Sequence, residues 1–496
     1  MWTNRRSVTR GRERGPRRWC VDFPRAIGPY RVMDDVVFSF VIDAQPKFAF
    51  QGVHLARSLF AHCSALRFSV VVQVTPEVGE DVRHLFTQLG CIVCPISRFG
   101  DGKYCNKLSQ LEALVGIDCR YVVLMDADMI AVDDLSPLLS GERLRGRVVG
   151  AANPSIEALE ALAHHAGMFA IPARAPTDCS DDETLDANLN GGLYVIPRPL
   201  LEEVFLHWRR WTTWVLDNIG PLAKEGKAMH ADQVGMWLAI QMAHLPFDYL
   251  EANWNFNPER SHRSLDPKRQ IAILHYHGAL TPAGQITEPQ EIGAARIAVQ
   301  RANAFIAGGY NARLFWDLRY ALFPERGSGM GSRAENAEYK RQILKAHGIE
   351  NAHSILDVGC GDLEVLGPLR LTGYFGIDQS HEAVRLAREA RPDLRFEVLD
   401  AVRDRDDIPD RDLVLCLEVL LHQSTRLGYQ RLLETLAAKA TRTLIVSGLD
   451  DSDNIPNAPS VFFYEPLGDS LRAMGVFRTV ERIGSHTSVA LYRCDR

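Results

Sequence analysis

Two aspartates, Asp126 and Asp128, directly follow an apolar run at residues 121–125. An uninterrupted apolar run of this length is typical of a buried strand, and side chains at positions i and i+2 of a strand point the same way. The two carboxylates could therefore hold one divalent cation between them. Such a cation is what a nucleotide diphosphate needs when it leaves as an anion.

A second motif, Ile-Leu-Asp-Val-Gly-Cys-Gly-Asp at residues 355–362, is typical of a strand that runs into a glycine turn. Gly359 and Gly361 would let the backbone approach a ligand closely. Asp378 ends the next predicted strand, where its carboxylate could accept hydrogen bonds from both hydroxyls of a ribose. Asp400 ends the third, where it could meet an adenine amine. A lone Gly-X-Gly is a weak signal, and the spacing of the two aspartates makes it specific.

Between residues 35 and 280, short apolar runs alternate with helical patterns. Strands are predicted at residues 36–42, 68–74, 121–125 and 192–196, and helices at 50–63 and 80–90. This alternation predicts an α/β sheet whose active site lies at the carboxyl ends of the strands. Helical patterns at 289–323 then close the predicted first domain, residues 34–322.

Residues 323–335 combine a proline with several glycines and serines, which predicts either a linker or a cap over a cofactor. The second domain is predicted at 336–496, with a helix at 336–348. Its strands are predicted at residues 354–358, 374–377, 394–398, 413–417, 443–446, 478–483 and 488–493. The last two lie close enough in the chain to form a hairpin.

Composition adds broad limits on partners. The 496 residues suit two or three domains that each bury a core, and the net charge of −6 gives no reason to expect nucleic acid. No apolar run approaches the roughly 18–20 residues that cross a bilayer, and the scattered cysteines suit a reducing cytoplasm. Residues 1–33 begin with an arginine-rich stretch, which we expect to be a disordered tail or else a basic arm resting weakly on an anionic membrane surface.

Further motifs make residues 36–282 resemble the retaining glycosyltransferases of the glycogenin and lipopolysaccharide-galactosyltransferase family, which have the GT-A fold. These motifs are Asp126-Ala-Asp128, Asn190-Gly-Gly192, Asp232-Gln233 and Leu-His275-Tyr-His277-Gly. The resemblance implies that Asp126, Asp128 and His275 bind Mn²⁺ or Mg²⁺, although His277 could compete with His275. It also implies that Asp232 and Gln233 lie near the transferring carbon, and that Asn190 and Gly192 line the acceptor side of the sugar.

One departure from that family concerns the donor phosphates. The family usually follows its histidine with Gly-X-X-Lys-Pro, and this chain has Gly278-Ala-Leu-Thr281-Pro282, without the lysine. One ammonium group near a phosphate oxygen is worth a few kcal/mol at an effective dielectric constant near 20. Lys107 lies upstream of the aspartate pair, where the family has a basic residue, and is our candidate to bind donor phosphate or sugar.

Residues 327–496 resemble the class I methyltransferases that use S-adenosylmethionine. The resemblance implies a cofactor site formed by Asp357, Gly359, Gly361, Asp378, Asp400 and Glu418. Glu418 would hold the methionine end of the cofactor or the methyl acceptor. His422 would be the base for an acceptor hydroxyl, unless it only caps a helix or packs. An NAD-dependent Rossmann oxidoreductase is disfavoured because the third glycine of its motif is missing.

The two resemblances together predict α/β architecture in two domains, a GT-A nucleotide-sugar-binding fold followed by a Rossmann-like methyltransferase fold. We interpret the chain as a bifunctional cytoplasmic enzyme that transfers a sugar from a nucleotide sugar and then methylates the same product, as in polysaccharide biosynthesis. The acceptor would be a glycan, a glycolipid or a natural product. The alternative is that one half has lost catalysis and serves as a binding or scaffolding module.

Overall fold

The structure, a computed structural model, describes residues 34–453, 455–456 and 458–496, so the basic segment 1–33 and its predicted disorder lie outside it. The strands of the first half are β1 (Asp34–Ile42), β2 (Phe68–Val74), β3 (Ile92–Pro95), β4 (Cys119–Met125), β5 (Met129–Ala131), β6 (Leu144–Gly146), β7 (Arg174–Pro176), β8 (Glu183–Leu185), β9 (Leu193–Pro197), β10 (Phe247–Tyr249) and β11 (Ile273–His275). Its α-helices are α1 (Pro46–His62), α2 (Glu80–Gln88), α3 (Asn106–Leu114), α4 (Ile156–His165), α5 (Leu201–Asp217), α6 (Gly220–Lys224), α7 (Ala231–Ala243), α8 (Ala294–Ala307) and α9 (Ala312–Leu322).

The first half is built on a seven-stranded sheet in the order β10-β6-β9-β4-β1-β2-β3. β1 pairs in parallel with β2 and β4, whereas β9 runs antiparallel to β4. The central strands are continuous apolar runs, as expected for a sheet covered on both faces. Strands β5 and β11 form a separate antiparallel pair beyond the carboxyl end of β4.

The helical region predicted at residues 289–323 forms two helices, because α8 ends before the pair Gly308-Gly309. Asn311 caps the second helix, α9, by accepting a hydrogen bond from the Leu314 N–H at 3.1 Å. Helix α9 packs against α1 of the first half and also against α11 (His381–Ala390) of the second. It therefore lies at the junction of the two halves.

The second half has strands β12 (Ile355–Val358), β13 (Tyr374–Asp378), β14 (Arg395–Val398), β15 (Arg411–Cys416), β16 (Ala440–Leu449), β17 (Thr479–His486) and β18 (Val489–Asp495). Its remaining α-helices are α10 (Ala334–Ala346), α12 (Arg426–Lys439) and α13 (Leu467–Ala473). The sheet order is β14-β13-β12-β15-β16-β18-β17, and only β18 is antiparallel to its neighbours. The predicted final hairpin is present.

The predicted fold class is confirmed: two α/β units follow one another along the chain, and each has its own sheet and buried core. In both sheets the central strands run parallel, so their carboxyl ends meet at one edge. Among the described residues, no helix is long and apolar enough to cross a membrane.

Candidate active sites

The aspartate pair lies in the turn between β4 and β5, not within a strand. The Asp126 N–H donates a hydrogen bond to the Gly192 carbonyl at 2.9 Å, which ties the turn to the start of β9. β5 pairs with β11 so that Met129 faces His275, and this register brings the turn beside the histidine. The turn and the register, and not strand alternation, therefore bring the two carboxylates together.

His275 faces both carboxylates. Its Nε2 atom lies 3.2 Å from Asp128 Oδ1 and 3.8 Å from Asp126 Oδ2. Its Nδ1 atom lies 3.0 Å from Asn255 Oδ1, and the Asn255 amide nitrogen donates to Asn190 Oδ1 at 2.9 Å. The amide oxygen of Asn255 can only accept a hydrogen bond, so it holds the Nδ1 proton, and Nε2 is the nitrogen that faces the aspartates.

His277 is the second histidine of this site. Its ring centroid lies 3.9 Å from that of His275, and its Nδ1 atom lies 3.9 Å from Asp128 Oδ2. Ligand atoms of Asp128, His275 and His277 all lie within 4.8 Å of one another. The His277 side chain is 49% exposed, and its partial burial and the neighbouring His275 lower its pKa. The structure therefore brings both histidines to the site.

Lys107, on α3, contacts the first aspartate of the pair. Its ammonium group contacts Asp126 Oδ1 at 2.8 Å and Asp232 Oδ2 at 3.9 Å, and it donates to the Gly191 carbonyl at 2.7 Å. Burial favours the neutral amine, but the two carboxylates outweigh it and raise the pKa of Lys107. Its charge is thus directed at protein carboxylates.

Asp232 and Gln233 begin α7, as the sequence predicts for a helix N-terminus that faces a site. Burial raises the pKa of Asp232 to about 6, and Lys107 opposes this rise. Gln233 is turned away from Lys107, because its amide nitrogen donates to the Asn153 carbonyl at 3.1 Å and to Asn188 Oδ1 at 3.4 Å. Asp232 is therefore the member of the pair that lies beside Lys107.

Gly192 packs directly under the His275 ring. A Cβ atom at this position would lie 2.4 Å from His275 Cε1, so only glycine fits. Asn190 Oδ1 accepts hydrogen bonds from the Gly192 N–H at 3.0 Å and from Asn255. The residues predicted to line the acceptor side therefore also support the histidine.

A cavity of about 850 Å³ lies beside the glycine turn of the second half. Predicted cofactor residues line it, namely Asp357, Gly359, Asp378, Asp400 and Glu418, and so does His422. Gly359 and Gly361 have φ angles of +75° and +58°, and a Cβ atom on them would lie 2.2 Å from Val419 and 2.5 Å from Ser328 respectively. Both positions therefore require glycine.

Asp378 is held in place by backbone donors. Its Oδ2 accepts from the Gly361 N–H at 3.1 Å and its Oδ1 from the Ser380 N–H at 2.9 Å. Burial raises the pKa of Asp378 to about 6. Asp357 accepts the Tyr374 hydroxyl at 2.7 Å, and burial raises its pKa to about 7.

Asp400 bends its own loop, because its Oδ1 accepts from the N–H groups of Val402 and Arg403 at 2.8 and 3.3 Å. Glu418 has a φ angle of +61° and pairs with Lys340 and, at 2.8 Å, with His486. The Glu418 carboxylate therefore contacts the Lys340 ammonium group and the His486 ring.

His422 lies in a 3₁₀ turn after β15. Its Nδ1 atom lies 2.6 Å from the Ser460 carbonyl, which fixes the proton on Nδ1. Burial lowers the pKa of His422 to about 4, so the ring is neutral at pH 7. Trp316 of α9 packs edge-on against it, with ring centroids 4.9 Å apart.

The segment at residues 327–333 lies against the glycine turn. Ser328 Oγ donates to Asp362 Oδ1 at 2.9 Å, and Arg333 forms an ion pair with the same carboxylate. Leu363, the residue after Asp362, is buried with a φ angle of +65°. The sequence marked Leu363 only as part of the departure from a third glycine, and it contained no signal for Asn255, which belongs to no recognisable spacing.

The strand order of each sheet, with the predicted site residues at the carboxyl ends of its parallel strands, defines two α/β folds on one chain. No protein-family model and no curated protein sequence matches the chain.

Solved structures resemble parts of the chain. The galactosyltransferase LgtC in complex with donor and acceptor sugar analogues is 17% identical, the match covers 55% of this chain and 95% of LgtC, and the TM-score is 0.35. Magnesium protoporphyrin IX methyltransferase from Synechocystis PCC 6803 with bound S-adenosylmethionine is 19% identical over 33% of this chain and 78% of its own, with a TM-score of 0.27. A TehB-like methyltransferase from Corynebacterium glutamicum is 18% identical over 31% and 85%, with a TM-score of 0.26. Such identities leave substrates open.

Proposed function

We propose that the first half transfers a sugar, with retention of configuration, from a nucleotide sugar by means of a divalent cation held by Asp126, Asp128 and His275. The observation that carries this proposal is the position of His275 Nε2, at 3.2 and 3.8 Å from the two carboxylates, while Asn255 holds Nδ1 on the other side of the ring. Two hard oxygen ligands and one imidazole fit Mn²⁺, and Mg²⁺ less well. When bound, the cation would stabilise the negative charge of the departing diphosphate.

The groups next to the cation site, Lys107 and Asp232, would act on the sugar. Asp232 lies beside Lys107 and is buried, so it can place a negative charge near a sugar carbon that becomes positive as its bond to phosphate breaks. Lys107 would keep Asp126 and Asp232 ionised, since its ammonium contacts both. Gln233 would position Asn153 and Asn188. Asn190 and Gly192 would border the acceptor.

A panel of nucleotide sugars tests this half of the proposal. The full chain is incubated with Mn²⁺ and each donor, and slow release of free sugar is measured. Asp128→Ala should abolish release. Asp134→Ala is the matched control, because its exposed side chain contacts only Ser136. Equal release by wild type and Asp128→Ala would contradict the assigned cation site.

We propose that the second half binds S-adenosylmethionine and methylates an oxygen atom. Asp378 supports this because its carboxylate lies at the edge of the cavity and retains lone pairs for the ribose hydroxyls. Gly359 and Gly361 leave room for close approach, and Asp400 would meet the adenine amine. Glu418 with Lys340 would border the methionine end.

His422 would take the proton of the acceptor hydroxyl at Nε2. Its Nδ1 proton is held by Ser460, its ring is neutral at pH 7, and its side chain lines the cavity. When bound, the cofactor supplies a methyl group on a sulfonium centre. The residues at 327–333 would cap the cofactor, since Ser328 and Ser332 line the same cavity.

We further propose that both halves act on one product, a glycan, glycolipid or natural product, within a route such as polysaccharide biosynthesis. Covalent fusion of the two sites supports this, and the free described cysteines suit the cytoplasm. Transfer of a labelled methyl group to the glycosylated product is compared with transfer to the unglycosylated acceptor. Equal rates would contradict the coupling.

A further inference from the structure

The cavity beside the glycine turn is bounded by residues from both halves of the chain. Helix α2, which belongs to the first half, contributes Asp81, Val82, His84, Leu85 and Gln88. These residues face a cavity whose other walls include Asp378 and Asp400. If the first half were only tethered to the second by a linker, its residues would not be expected to line this cavity.

Asp81 of α2 contacts both α9 and the second half. The Asp81 carboxylate pairs with Arg313 on α9 and, at 3.3 Å, with His381 Nε2 at the start of α11. Arg313 Nε lies 3.8 Å from Asp317 Oδ2. One carboxylate of the first half therefore holds a residue of the connecting helix and a residue of the second domain.

The contacts continue from Asp317 to the predicted ribose-binding aspartate. Asp317 is buried, and its Oδ1 accepts from Ser380 Oγ at 2.7 Å and from the Glu382 N–H at 3.2 Å. The Ser380 N–H donates to Asp378 Oδ1 at 2.9 Å. The orientation of Asp378 thus depends on a chain of contacts that begins at Asp81.

We infer that α2 of the first half completes the cofactor pocket of the second half, and that Asp81 is a positioning residue for the nucleoside end of S-adenosylmethionine. This inference rests on the proposed binding of that cofactor. It holds whether or not the first half is catalytically active. The two halves then form one functional unit at the level of cofactor binding.

Binding of S-adenosylhomocysteine to the full chain, measured by calorimetry at low salt, tests the inference. Asp81→Asn keeps the shape of the side chain and removes its charge, and Arg313→Ala removes its partner. Each should weaken binding about three- to tenfold, because partly exposed ion pairs are of modest strength. The loss in the double variant should be smaller than the product of the two single losses, because both single variants remove the same Asp81–Arg313 pair. Asp81→Glu should restore most of the affinity.

Glu80→Ala is the matched control. Glu80 is the residue next to Asp81, and its side chain is 92% exposed and pairs with Arg83. The difference between wild type and Asp81→Asn should shrink at high salt, as expected for partly exposed charges. Unchanged affinity in both single variants, or losses that multiply fully in the double variant, would overturn the inference. Failure of the wild type to bind S-adenosylhomocysteine would instead overturn the proposed function itself.

Discussion

His275 and Asp128 face each other across the pairing of β5 with β11, with Nε2 of the histidine 3.2 Å from Oδ1 of the aspartate. The Nδ1 atom on the far side of the ring lies 3.0 Å from Asn255 Oδ1. The ring is therefore held in one orientation and one tautomer, which a metal ligand requires.

Asn255→Ala should weaken Mn²⁺ binding about 10- to 100-fold, because the ring of His275 loses the acceptor that fixes its tautomer. Titration calorimetry with Mn²⁺ measures the change. Asn257→Ala serves as the control, since its side chain accepts only from the nearby Glu259 N–H. An unchanged Mn²⁺ affinity in Asn255→Ala would show that His275 does not act through this contact.

Gly192→Ala should abolish Mn²⁺-dependent donor hydrolysis. The added Cβ would lie 2.4 Å from the His275 ring, which is packed and hydrogen-bonded and cannot yield. Gly278→Ala should retain wild-type activity, because a Cβ there meets nothing within 4 Å. Equal activity of the two variants would contradict the assigned geometry.

The affinity for S-adenosylhomocysteine should fall as the pH drops through 6. Burial raises the pKa of Asp378 to about 6, and only the ionised carboxylate accepts hydrogen bonds from both ribose hydroxyls. The loss should be about tenfold between pH 7 and pH 5. Asp378→Asn should bind more weakly at pH 7 and lose most of this dependence, and Asp393→Asn, at an exposed position, should keep it. A pH profile of Asp378→Asn identical to that of wild type would assign the effect to another group, such as Asp357.

Glu418→Ala should lower the free energy of unfolding by about 3–5 kcal/mol, because it leaves the buried Lys340 ammonium without its carboxylate. Urea unfolding measures this, with exposed Glu434→Ala as the control. Burial opposes ionisation, but His486 and Lys340 lower the pKa of Glu418 to about 2. Its contribution to stability is therefore full above the unfolded pKa of about 4.5 and is lost as the pH falls toward 2. A loss no larger than that of Glu434→Ala would contradict this role.

The two sheets could be predicted from the sequence because their central strands are uninterrupted apolar runs. Strand β2 has the predicted bounds, Phe68–Val74. The helical patterns predicted at 289–323 are present as α8 and α9, but the sequence did not locate the break at Gly308 and Gly309. One pair of adjacent glycines is only a weak signal for a helix break within a long helical pattern.

The candidate sites could be predicted only in part. Asp126 and Asp128 were recognised by their spacing, but the contact that orients His275 comes from Asn255, which no local pattern identifies. The contact of Asp81 with His381 depends on the packing of two domains, and sequence periodicity carries no such information. The roles of the site residues stay predictions.

The most direct test of the central claim is the hydrolysis of a nucleotide sugar by three forms of the full chain. Wild type and Asp378→Ala should both release sugar in the presence of Mn²⁺, and Asp128→Ala should release none above background. The same Asp378→Ala variant should fail to bind S-adenosylhomocysteine, which the other two forms bind. Hydrolysis that persists in Asp128→Ala, or that is absent from wild type with every donor, would contradict a glycosyltransferase site in the first half.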